Sequence, residues 1–146
     1  MSIILPSILL TVGVGLAIAT QTQFAGVLGQ HVGVMESVFI IHLGGLVAAG
    51  VYLMVSGGGN LGSWKAAPWY VVVFGGLLGV VIVGGYAFVI PRIGLAPAIT
   101  IAVASQLIFS AVISHYGALG AVQQPITISR IAGILVLLLG TWLIVR

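Results

Sequence analysis

Charged side chains are scarce in this chain, and cysteine is absent. Only 3% of the 146 residues are charged, as one acidic and four basic side chains, whereas soluble domains usually carry about 25%. So few charges cannot cover the surface of a soluble domain of this length. The lack of cysteine excludes disulfides and thiolate sites. The basic residues are scattered singly, which excludes a nucleic-acid-binding surface and a polybasic lipid-binding patch.

Long apolar stretches fill the sequence between the charges. Apolar residues make up 61% of the chain, and the charged positions are Glu36, Lys65, Arg92, Arg130 and Arg146. Since about 20 apolar residues in a helix cross the hydrocarbon core of a bilayer, the pattern predicts an all-α integral membrane protein with five transmembrane helices in a single domain, residues 1–146. The predicted spans are about 3–20, 34–55, 69–90, 95–115 and 126–145.

Polar residues, proline and glycine mark the ends of these spans. Gln21-Thr22-Gln23 is expected to end the first span, and Pro91-Arg92-Ile93-Gly94 is expected to form a tight turn after the third. Arg130 falls about one turn inside the fifth span, where a long side chain is expected to snorkel toward the membrane surface.

Glycines recur inside the spans and include the GxxxG pair Gly75 and Gly79. In water such residues would weaken a helix, but in lipid they let helix backbones approach closely. Helix packing is therefore their ordinary role, and a path for substrate is the alternative.

The basic residues are divided equally between the two sides of the membrane. Five spans place Lys65 and Arg130 on one side, and Arg92 and Arg146 on the other. Orientation normally follows an excess of Lys and Arg on the cytoplasmic side, which is missing here. The balance favours dual topology, in which copies insert both ways and pair as an antiparallel homodimer of ten helices. Such a pair imitates the inverted repeats of transporters, whose substrate sites lie near the midplane.

Glu36 is the only acidic residue in the chain. An ionisable residue inside a membrane span costs roughly 2.5–3.5 kcal/mol on insertion scales and is a functional candidate by default. A carboxylate there suits coupling to protons or binding of a cationic substrate. The alternative is structural, because Glu36 lies near the start of the second span, where the positive end of the helix dipole stabilises a carboxylate. The sequence leaves both roles open.

Other polar residues in the spans are weaker candidates for contact with a substrate or a proton. His42 could relay protons, but an interhelical hydrogen bond is the favoured role. Gln106 could contact substrate or clamp a neighbouring helix, since a buried amide needs partners in lipid. The remaining candidates are Tyr86, which could instead anchor the chain at the membrane interface, Gln21 and Ser110.

Several segments carry a resemblance to a known family. They are Gly75–Gly79, Thr100–Ile108 and Ile113–Gly120, followed by Arg130, Gly133 and Gly140. With these residues, its length and its five spans, the chain resembles the YdcZ-like family of the drug/metabolite transporter superfamily. The resemblance implies a small bacterial inner-membrane transporter, related to ten-span exporters built from two inverted five-span halves. Relatives often have Asp where this chain has Ser114, so no role of that carboxylate carries over.

The residues and the resemblance together predict a small secondary transporter for a drug or metabolite, working as a dual-topology dimer with proton coupling through Glu36. The expected partners are membrane lipid, a second copy of the chain, and a small-molecule or ion substrate. A small dimeric ion channel and a structural or accessory membrane subunit are the alternatives. An enzyme is not expected, because catalytic motifs are missing. Cofactors and metals are not expected either, because the three histidines are scattered.

Overall fold

The chain folds into long helices joined by short connections. A computed structural model describes residues 4–146; Ile3, where the first span is predicted to begin, lies outside the described residues. The helices are α1 (Ile4–Val32), α2 (Val34–Val55), α3 (Trp69–Ile93), α4 (Leu95–Tyr116) and α5 (Ile128–Val145), with short 3₁₀ turns at Leu61–Ala66 and Ala118–Gly120. All five long helices are apolar and long enough to cross a membrane, which confirms the predicted five-helix, all-α fold class.

Large apolar side chains lie on the outside of these helices. Leu16 of α1 is 67% exposed, Leu46 of α2 is 69% exposed and Leu139 of α5 is 58% exposed. Apolar surface on this scale is rare on soluble monomers. It is expected when lipid surrounds the helices, because lipid tails are as apolar as leucine.

The first helix is longer than the sequence predicted. Gln21-Thr22-Gln23 does not end it, and α1 continues to Val32. The buried Thr22 hydroxyl donates to the carbonyl oxygens of Ile18 at 2.9 Å and Ala19 at 3.1 Å. A hydroxyl that bonds to the preceding turn lets a polar residue remain inside a helix, and this is why the polar run was a misleading signal.

The turn predicted at Pro91-Arg92-Ile93-Gly94 is also wrong, because α3 extends through Ile93. Pro91 lies within the last turn of α3, where its missing N–H interrupts the helical hydrogen bonds only two residues before the helix ends. The Arg92 guanidinium donates to the carbonyl oxygen of Phe88 and lies 3.5 Å from the centroid of the Phe88 ring. Arg92 therefore folds back along α3, and the helix ends only at Ile93, one residue before Gly94.

Single glycines separate two pairs of successive helices. Gly33, between α1 and α2, has φ 104° and ψ 157°. Gly94, between α3 and α4, has φ 87° and ψ 164°. This region of backbone conformation is essentially restricted to glycine. Each glycine carbonyl accepts the first hydrogen bond of the next helix, from Ser37 at 3.0 Å and from Ala98 at 3.3 Å.

The chain forms two compact units, divided after Arg92, and small residues pack the helices of the first. Gly26 of α1 lies against the Ile90 side chain of α3, and a Cβ on Gly29 would stand 3.2 Å from the carbonyl oxygen of Ala87. These glycines let the backbones of α1 and α3 approach closely, as small residues do in membrane helices.

α2 joins this first unit through a hydroxyl and another glycine. The fully buried Ser37 hydroxyl donates to the carbonyl oxygen of Ala25 on α1 at 3.1 Å. A Cβ on Gly84 of α3 would stand 3.3 Å from the Val38 side chain of α2. The buried residues therefore come from the second half of α1, the start of α2 and the end of α3: Thr22, Ala25, Gly26, Ser37, Val38, Ala87 and Ile90.

The second unit, Ile93–Arg146, contains α4 and α5. Gly117 ends α4 in the left-handed conformation, φ 63°, and the Ser114 carbonyl accepts N–H groups from Gly117 at 3.3 Å and Gln124 at 2.8 Å. Thr127 caps α5, because its hydroxyl accepts the Arg130 N–H at 3.3 Å. α5 therefore begins at Ile128, slightly later than predicted. The single transmembrane domain stays a prediction.

Gly33→Ala should destabilise the folded protein, because alanine would be strained at this φ and its Cβ would overlap the Glu36 carboxylate. Strain of this kind costs about 1–3 kcal/mol. Gly50→Ala in α2 is the matched control, since nothing lies within 4 Å of a Cβ there and alanine favours a helix. Thermal unfolding in detergent measures both variants; equal melting temperatures would contradict the strain.

Candidate functional site

Glu36 occupies the third position of α2, in its first turn. The side chain is exposed and its carboxylate folds back against Gly33, so closely that no Cβ would fit on that glycine. With Met35, Phe39 and Ile40 it borders a shallow apolar depression on the surface of α2. The carboxylate thus lies beside the positive end of the helix dipole and is open to its surroundings, so the structural and the coupling roles remain compatible with its position.

His42 is held between its own helix and α3. Its Nδ1 lies 2.8 Å from the Val38 carbonyl oxygen, and because a carbonyl can only accept, Nδ1 is the donor and carries the proton. Its Nε2 faces α3, where it would stand 3.0 Å from a Cβ on Gly79. The second glycine of the GxxxG pair therefore makes room for an imidazole. Gly75 has nothing within 4 Å of its Cβ position.

The remaining predicted residues are divided between the two compact units. Gln21 is exposed on α1 and Tyr86 is partly buried on α3. Gln106 is exposed on α4, and Ser110 donates to the carbonyl oxygen of Leu107 at 3.0 Å. Of the six predicted residues, Ser110 is the one that borders the groove of the second unit described in the next paragraph. Their roles as contacts for substrate or protons stay predictions.

The groove in the second unit lies between α4 and α5 and has a volume of about 530 Å³. This size falls within the range of about 300–1,000 Å³ that is typical of small-molecule sites. Its lining residues are Leu107, Ser110, Ala111, Ser114, Gln124, Arg130, Gly133, Ile134 and Leu137. Apolar side chains with a few polar groups among them are the usual composition of such sites.

Arg130 supplies the charge of this groove. Its guanidinium donates to the carbonyl oxygens of Gln124 and Pro125, both at 3.5 Å, and to the side-chain oxygen of Gln124. The side chain therefore runs from the first turn of α5 toward the preceding loop, the direction expected of a snorkelling arginine. His115 orders the same loop, because its Nδ1 accepts the Ile126 N–H at 3.3 Å.

Sequence reasoning named Ser110 but missed the groove around it. The available signals were a basic residue inside an apolar span and the spacing of Ser110 and Ser114, which places both hydroxyls on one face of α4. The contribution of Gln124 could not be anticipated, because it depends on how the loop folds back onto the end of α4.

A family model described as "Putative inner membrane exporter, YdcZ" matches residues 6–143. The chain belongs to this family. The match confirms the predicted YdcZ-like membership within the drug/metabolite transporter superfamily, and with it a multi-pass location in the inner membrane. No curated protein and no solved structure gives a significant match. In this YdcZ-family protein the matched region includes all of the groove residues.

Gly79→Ala should weaken the packing of α2 against α3, because the added methyl would stand 3.0 Å from His42 Nε2. Gly85→Ala is the control on the same helix, since its Cβ position is open. A double-mutant cycle with His42→Ala should give a coupling of about 0.5–3 kcal/mol between positions 79 and 42, the range of residues in contact. Unfolding in denaturing detergent measures it; strictly additive effects would contradict the contact.

Proposed function

We propose that this YdcZ-family protein is a secondary transporter that exports a small drug or metabolite across the inner membrane. The observation that carries the proposal is the match of residues 6–143 to a family of inner-membrane exporters. The five apolar helices support it, because they place nearly the whole chain in the bilayer, and the groove between α4 and α5 has the size of a small-molecule site.

The working unit in this proposal is an antiparallel dimer of ten helices. An odd number of spans and an equal division of Lys and Arg between the two sides support insertion in both orientations. Exposed glycines on α2 and α3 supply surface for close approach by helices of a second copy. Gly44, Gly45, Gly75 and Gly76 each have nothing within 4 Å of the Cβ position.

Glu36 is proposed to couple export to proton movement. It is the only acidic side chain in the sequence, so no other carboxylate could serve. Its exposure beside Phe39 and Ile40 leaves it able to exchange a proton while it lies among apolar groups.

Glu36→Gln should abolish transport driven by a pH gradient, because an amide cannot take up or release the proton. The measurement is proton flux into proteoliposomes that contain a pH-sensitive dye, screened with small amphipathic amines, acids and neutral compounds. Lys65→Arg, which keeps the charge of the loop between α2 and α3 and the balance of Lys and Arg, should transport normally. Wild-type flux in Glu36→Gln would remove this residue from the coupling mechanism.

Reporters fused to the C-terminus should be active on both sides of the membrane, because the Lys and Arg residues favour neither orientation. Adding two lysines to the loop at residues 57–60 should shift the population toward the orientation that keeps this loop in the cytoplasm. Activity of the unmodified protein on one side alone would contradict dual topology.

A further inference from the structure

The groove between α4 and α5 has polar and apolar ends. Ser114 lies near the end of α4 and Arg130 near the start of α5, so both lie beside the loop that joins these helices. Leu107 and Leu137 are each seven residues deeper in their helices, which corresponds to about 10 Å at 1.5 Å per residue. Ser110 lies between the two ends along α4. The groove therefore changes from polar and cationic to apolar along its length.

The charge of Arg130 is not neutralised by an acidic residue of the groove. The only acidic side chain in the sequence is Glu36, which belongs to the other compact unit. The three bonds of the guanidinium go to neutral oxygens of Gln124 and Pro125. Since a guanidinium has five N–H donors, two donors are left without an acceptor among residues 4–146.

The position of Arg130 in its helix adds to this imbalance. Arg130 is the third residue of α5, and the N-terminal end of a helix carries partial positive charge, which favours anions and disfavours cations. A bound anion would thus be stabilised by both the guanidinium and the helix end. The Ser114 hydroxyl lines the same groove and is a further hydrogen-bond donor there.

We infer that this groove binds an amphipathic organic anion, with a carboxylate at Arg130 and Ser114 and an apolar body along Leu107, Ile134 and Leu137. The inference rests on the proposed export function, because it names the class of substrate that the transporter would export. The binding itself is independent of transport. A phospholipid headgroup shares the anionic chemistry, but a body that fills about 530 Å³ is that of a small molecule.

The test measures binding to the purified full-length protein by calorimetry in a neutral detergent. The probes are 4-phenylbutyrate, the neutral 4-phenylbutanol and the cationic 4-phenylbutylamine, which share one apolar body. The anion should bind at least about tenfold more tightly than the alcohol, equivalent to about 1.4 kcal/mol. Equal affinities for the three probes would overturn the inference.

Two substitutions locate the site. Arg130→Gln should remove the preference for the anion, but it could also disturb the loop at Gln124. Ser114→Asp keeps Arg130 and places a competing carboxylate in the groove, so it should remove the same preference while the melting temperature stays near that of the wild type. Arg92→Gln, which removes a cation from α3, should leave the preference unchanged. An unaltered preference in Ser114→Asp would overturn the assignment to this groove.

Further measurements distinguish a lipid headgroup from a small-molecule anion, and the binding inference from the export proposal. Phosphatidylglycerol added to the detergent should not displace 4-phenylbutyrate at equimolar amounts; full displacement would assign the groove to a lipid headgroup and overturn the inference. Tight binding without transport in proteoliposomes would count against the exporter function alone. Transport of the amine in preference to the acid would sustain export and overturn the substrate class.

Discussion

Lipid offers no hydrogen bonds to the backbone, so each spanning segment must satisfy its N–H and C=O groups within its own helix. Threonine hydroxyls inside these helices likewise find their acceptors within the same helix. Thr11, Thr20 and Thr100 each donate to the carbonyl oxygen four residues earlier, at 2.7–2.9 Å. Changes of direction are therefore confined to helix ends, where glycine or a loop takes over. Gly33 makes such a change between α1 and α2 within one residue, because glycine can adopt a backbone conformation that other residues rarely reach.

The same solvent removes the hydrophobic drive that holds soluble helices together, so packing depends on close approach and a few hydrogen bonds. In the first unit, Gly26 and Gly29 provide the approach of α1 to α3, and the Ser37 hydroxyl provides the bond between α2 and α1. Gly79 contributes differently, by making space for a polar ring. Glycine thus has three roles in this chain. It links successive helices, it allows close contact between helix backbones, and it leaves space for a side chain of a neighbouring helix.

The two ionisable residues proposed to function occupy equivalent places in their helices. Glu36 and Arg130 are each the third residue of a helix, α2 and α5. The helix dipole favours the first and disfavours the second. An anion beside Arg130 would offset this unfavourable interaction, whereas Glu36 needs no such partner. This asymmetry supports the two proposals, that an anionic ligand binds in the second unit and that proton coupling belongs to the first.

Composition, with 3% charged and 61% apolar residues, indicated a membrane protein, and the spacing of the charges predicted the five helices that are long and apolar enough to cross a membrane. The sequence also showed that Glu36 is the single acidic residue. The ends of α1 and α3 were misjudged. The polar run stays helical because Thr22 bonds to its own helix, and Pro91 lies in the last turn of α3 without ending it. The groove was decided by tertiary structure, because Arg130, Ser114 and Gln124 meet only when the loop after Gly117 folds back onto the end of α4.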